Sequence, residues 1–196
     1  MTKPYTGVTQ VRKFVALASA LSLVCLLSAL PANAQTYPQA VDRTAVTLTY
    51  WPSALGGTTS AFSGAVSYQF GPGPWDLLAS YRSGPAAGAT QFTFGGRYHL
   101  RPPSSGSDVY GTLQYASPSP GTSYFMVGGG LTETLAPGLK SYFVLNYAFL
   151  PAPAGAVIIP NMGFQYQVSR QLAVVAGVDV SNGNGYLGVN FDFSSR

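Results

Sequence analysis

The chain has 196 residues, of which 8% are charged, 46% hydrophobic and 13% aromatic, with a mean hydropathy of +0.18. A soluble domain carries about 25% charge, so this chain lacks the groups to wet an ordinary surface, and it is too aromatic for disorder. The net charge of +4 is inflated by Lys3, Arg12 and Lys13, which lie in the first 34 residues where no acid does; the nearly neutral remainder has no basic cluster for nucleic acid.

The amino-terminal stretch ends its polar part at Arg12-Lys13 and continues from Phe14 to Leu30 without a charge. Pro31 breaks the apolar run and Ala32-Asn33-Ala34 follows. This is the basic, apolar and small-x-small order of a secretory signal, with cleavage expected after Ala34. An uncleaved helix is the alternative, but 17 residues are short for a span of about 20. Cys25, the one cysteine, lies in this leader. The expected mature domain, 35–196, therefore has no disulfide and no thiol chemistry.

From there the pattern is alternation with period 2. In 61–70, Phe62, Gly64, Val66, Tyr68 and Phe70 share one face, while Ala61, Ser63, Ala65, Ser67 and Gln69 share the other. In 90–101, Phe92, Phe94, Gly96, Tyr98 and Leu100 alternate with Gln91, Thr93, Gly95, Arg97, His99 and Arg101. A strand separates two such sets and a helix does not. The same reading predicts ten strands: 44–51, 61–70, 75–82, 90–101, 108–116, 123–132, 139–149, 157–167, 172–180 and 186–193. Pro160 interrupts the eighth, which predicts a bulge there or a start near Asn161. Connections such as Gly71-Pro72-Gly73-Pro74 and Ser181-Asn182-Gly183-Asn184-Gly185 carry turn residues. They are short, so one domain is expected.

Charge decides which face looks out. With the small polar face outside, ten strands would offer water few charges, and the large rings would have to fit a small interior. The reverse puts bulky residues toward lipid. The rings then fall into two belts near the strand ends: Tyr68, Phe70, Trp75, Tyr98, Tyr166, Phe191 and Phe193 at one rim, and Tyr50, Phe62, Tyr81, Phe92, Tyr115, Phe125, Tyr147 and Phe149 at the other. Two such belts bounding an apolar band mark a membrane-spanning barrel. The fold class expected is all-β: a closed antiparallel up-and-down transmembrane β-barrel of about ten strands, with eight as the alternative count.

The pattern over 44–193 resembles the bacterial outer-membrane β-barrel class. Its sharpest element is Tyr186-Leu187-Gly188-Val189-Asn190-Phe191-Asp192-Phe193, which is similar to the signal read by the outer-membrane assembly machinery; Ser194-Ser195-Arg196 after the last aromatic depart from the commonest form. The resemblance implies a location in the outer membrane, with lipid and that machinery as partners.

The ionisable residues are few enough to place. Arg97, His99 and Arg101 share the inward face of strand four. Hairpin pairing would set Asp76 near Arg97, His99 opposite Tyr110 and Arg101 opposite Asp108. The expected lumen cluster is Asp76, Arg97, His99, Arg101, Asp108 and Tyr110. It reads either as a charged constriction that selects solutes or as a staple that pairs buried charge. Elsewhere the inward face mixes small residues (Gly128, Gly130, Gly163, Gly177, Gly188) with large ones (Tyr110, Tyr124, Met126, Tyr142). Ten strands stand near the side-chain-filled limit of small barrels, so a narrow path at most is expected. His99 is the one histidine, and no metal, phosphate-loop or dinucleotide motif occurs. No enzyme and no cofactor are expected. The function expected is narrow passive permeation of small solutes or ions, or structural support of the envelope. The alternative is a secreted soluble β-barrel that binds an apolar ligand with its bulky face inside.

Overall fold

A computed structural model describes residues 44–52, 60–69, 73–83, 89–100, 106–151, 155–181 and 183–193. The expected leader, its cleavage site, Phe70 and Arg101 lie outside these residues. Ten strands follow in order: β1 (Ala45–Trp51), β2 (Ala61–Gln69), β3 (Trp75–Ser83), β4 (Thr90–His99), β5 (Ser107–Ser119), β6 (Tyr124–Ala136), β7 (Leu139–Phe149), β8 (Ala156–Gln167), β9 (Leu172–Asp179) and β10 (Asn184–Asp192). Every strand pairs antiparallel with its sequence neighbours. β1 also pairs with β10, from Ala45 opposite Asp192 to Tyr50 opposite Leu187, which closes the barrel. No helix occurs among the described residues. We call the end where β1 finishes at Trp51 the upper end, and the end of the β6–β7 turn the lower end.

Two expectations need correction. β8 runs unbroken through Pro160, which sits opposite Leu145 of β7 in continuous register, so neither a bulge nor a late start occurs. The physical reason is where the missing donor points. The Pro160 carbonyl accepts from Val180 N (3.0 Å), on the side where β9 has already ended at Asp179. The absent N–H therefore removes nothing from the ladder between paired strands. Second, the turn expected over 133–138 is much shorter. β6 extends to Ala136 through a register shift between Thr134 and Ala136 and returns at Leu139. Gly138 makes this possible with a φ of 77°, a conformation glycine adopts without a Cβ penalty.

The faces divide as the alternation requires. On β2, Phe62 is 64% exposed while Ala61 and Ser67 are each 1% exposed. On β4, Phe92, Phe94 and Tyr98 face out, and Thr93, Arg97 and His99 are buried. The outward rings meet in rows at the two ends. Tyr50 lies against Phe62, and Tyr115 against Phe125, at the upper end; Trp75 lies against Tyr98 at the lower. The arrangement is the reverse of a soluble barrel with its bulky face inside, and that alternative is set aside.

Inside, glycines admit rings. Tyr110 stands opposite Gly130, Tyr142 opposite Gly163 and Tyr186 opposite Gly177. A Cβ on any of these glycines would collide with the facing phenol; at Gly163 it would lie 2.7 Å from Tyr142 Cζ. The small inward residues thus make room for neighbouring large ones. Gly163→Val should destabilise the barrel by about 1–3 kcal/mol through overpacking. A urea titration followed by the heat-dependent gel shift of the folded barrel measures this, and an unchanged midpoint would show that Tyr142 does not occupy that space.

Candidate functional site

A buried cluster of charged and polar residues in the lower lumen comes from three adjacent strands. Period 2 turns Asp76 of β3, Arg97 and His99 of β4, and Asp108 and Tyr110 of β5 inward. The register then sets Asp76 opposite Arg97 and His99 opposite Tyr110. All five side chains are buried. Arg97 donates to Asp76 Oδ2 from Nε at 3.0 Å and from Nη2 at 2.6 Å. Its Cζ also lies 5.1 Å from the centroid of the Tyr110 ring, a cation–π distance.

His99 bridges the two carboxylates. Its Nε2 is 2.6 Å from Asp76 Oδ2 and its Nδ1 is 2.8 Å from Asp108. An ionised carboxylate only accepts, so both contacts are hydrogen bonds when both nitrogens carry hydrogen, as in the imidazolium. Arg97 and His99 together then neutralise Asp76 and Asp108. Both ring nitrogens face carboxylates, which leaves neither to activate a hydroxyl as a general base. Among the described residues no group of histidine, cysteine and acidic side chains is arranged to hold a metal ion. Of the six residues expected here, the structure brings together Asp76, Arg97, His99, Asp108 and Tyr110. The expected Arg101–Asp108 pairing lies outside the described residues, and it is His99 that reaches Asp108.

Above this cluster the lumen is packed. Trp51, Ala61, Tyr110, Tyr142, Val144 and Tyr186 form one apolar group. Ala116, Tyr124, Met126, Ala148, Val157 and Ile159 form another nearer the upper end. The Tyr142 and Tyr186 hydroxyls are hydrogen-bonded to each other, and Tyr186 donates to Asn161 Oδ1 at 2.7 Å. Polar pairs line the remaining wall: Thr49 with Ser63, Ser80 with Thr93, and Thr47 donating to Asn190 Oδ1 at 2.7 Å. Arg82, on the same face of β3 as Asp76, places its guanidinium 4.3 Å from the centroid of the Trp51 ring. Trp51, Arg82 and Tyr186 are lumen residues that the sequence reasoning did not single out. Counting back by two from Gly188 and Asn190 reaches Tyr186, so a signal for it was present.

No family model matches the chain, and no curated protein does. Similar solved structures exist. One is a de novo designed transmembrane β-barrel, at 13% identity and a TM-score of 0.39, covering 81% of this chain and 98% of that one. Another is the KdgM porin in complex with disordered oligogalacturonate, at 12% identity and a TM-score of 0.49, covering 76% and 99%. A mutant of the Rh. blastica porin is similar at 16% identity and a TM-score of 0.36, covering 79% of this chain and 53% of that one. At these identities the likeness is one of barrel architecture alone.

The ion pairs of the cluster link three adjacent strands, as a staple would. Removing one partner of a buried ion pair strands the other, at a cost of about 3–5 kcal/mol. Arg97→Ala should lose stability on that scale in a urea titration, and adding Asp76→Asn should recover part of it. Equal stability of the wild type and Arg97→Ala would contradict the staple.

Proposed function

We propose that this chain is a small outer-membrane β-barrel whose filled interior makes it a structural component of the envelope rather than a standing open pore. One observation carries the reading: inward side chains are shut off from water along the barrel axis. Trp51, Met126 and Ile159 toward the upper end, and Arg97, Gln165 and Asn190 toward the lower, are all at most 2% exposed. A pore wide enough for water would expose its lining. The outward band of apolar residues between two aromatic belts supports lipid as the surrounding medium. β10 closes the barrel and turns Leu187 and Phe191 outward, which supports delivery by the outer-membrane assembly machinery through that strand.

A narrow passive channel is the second reading, and a specific feature favours it. Gln114 Nε2, Thr132 Oγ1 and Asn161 Nδ2 are buried in the lumen wall without a protein hydrogen-bond partner. Buried polar atoms of this kind are ordinarily satisfied by water, and water between them would mark a path for small polar solutes. Planar-bilayer recording separates the two. The refolded wild type should give no conductance steps, while Tyr142→Ala with Tyr186→Ala should give them. Discrete steps from the wild type would overturn the structural reading in favour of the channel.

A further inference from the structure

The outer wall of β4 and β5 is not evenly covered. Gly96 and Gly111 face outward among large neighbours. Strand register runs through both without a break, and neither has a positive φ. A Cβ on Gly96 would meet nothing closer than 3.7 Å, and one on Gly111 nothing closer than 3.8 Å. Neither the backbone nor the barrel's own packing requires glycine there, in contrast to Gly163. Glycine inside a strand weakens it and marks places where a ligand or another backbone comes close.

The space left is a trough of about 620 Å³, within the size range of small-molecule sites. The Trp75–Tyr98 ring pair, 4.8 Å between centroids, bounds its lower end. The ladder Phe94–Tyr115–Phe125, with ring centroids 5.5 and 5.3 Å apart, bounds its upper end. Leu113 and Val127 form its flank, and no charged side chain lines it. It therefore runs between the two aromatic belts, within the apolar band.

We propose that this trough holds one acyl chain of a bilayer lipid in a fixed position on the barrel wall. The inference rests on the membrane setting proposed above. The lining is predominantly apolar and holds no charged side chain, which disfavours a polar ligand. A second barrel, convex toward this one, would ride on the surrounding rings without filling the floor. The floor lacks side chains at Gly96 and Gly111 on two strands about 4.8 Å apart, with Gly129 opposite Gly111 on the next strand, a shallow groove that fits an unbranched hydrocarbon chain lying between the end rings.

Trp75 reports on the trough, while Trp51 inside the lumen is shielded. The full chain is refolded into phosphatidylcholine vesicles containing increasing fractions of a dibrominated-acyl phosphatidylcholine, and tryptophan emission is read. The wild type should reach half-quenching at a mole fraction about threefold below random lipid contact, a modest preference on the affinity scale. Gly111→Leu, and independently Gly96→Val, should return it to the random-contact curve with the folded gel shift intact. Identical quenching in the wild type and both filled variants, in inserted protein, would overturn the inference alone. A dimer in the vesicles that Gly111→Leu dissolves would put a second copy in the trough and overturn it too. Failure of the wild type to enter vesicles would overturn the membrane setting and the inference with it.

Discussion

In the core of a bilayer there is no water to hydrogen-bond a peptide group, so every N–H and C=O must find its partner within the protein. A sheet can meet that demand only by closing on itself. In the membrane setting proposed above, the demand falls on β1 and β10, whose register from Ala45–Asp192 to Tyr50–Leu187 joins the two ends of the chain's strand order. Once the sheet is closed, period 2 leaves no freedom. Each outward residue meets the surroundings and each inward residue meets the lumen. The apolar exterior and the polar, ring-filled interior are two consequences of one closure.

Closure also creates a packing problem that the glycines solve. A ten-stranded ring stands near the side-chain-filled limit of small barrels and leaves room that small side chains alone do not fill. Tyr110, Tyr142 and Tyr186 lie over glycines of the adjacent strand, so the rings lie along the wall and fill the lumen together. At the lower end the same space is taken by charge. With both His99 nitrogens protonated, Arg97 and His99 balance Asp76 and Asp108, whose charges would each be costly to bury alone.

The strands and their faces were legible in the sequence because alternation is a local property: Phe62 through Ser67 declares its two sides without reference to any other strand. Hairpin neighbours were legible too, since short connections fix register, and Asp76 opposite Arg97 followed from that. Pro160 misled because a missing donor matters only on the side where a partner strand remains, and where β9 ends is not written near Pro160. The Tyr142–Tyr186 contact lies across strands separated by 44 residues, and the stagger around the whole barrel decides it. His99 reaching both Asp76 and Asp108 was hidden for a similar reason: register places a residue opposite one neighbour, while a ring between two strands serves both.

The central claim is that acyl chains, not water, touch the bulky face. Nitroxide labels placed singly at Val66, Ser67, Leu113, Thr112, Leu145 and Asn146 of the reconstituted barrel test it by collision with oxygen and with a water-soluble nickel chelate. Oxygen access should be high at Val66, Leu113 and Leu145 and low at the three alternate positions, with the chelate excluded from the first set. A chelate that reaches Val66, Leu113 and Leu145 freely, or access that does not alternate, would contradict the account.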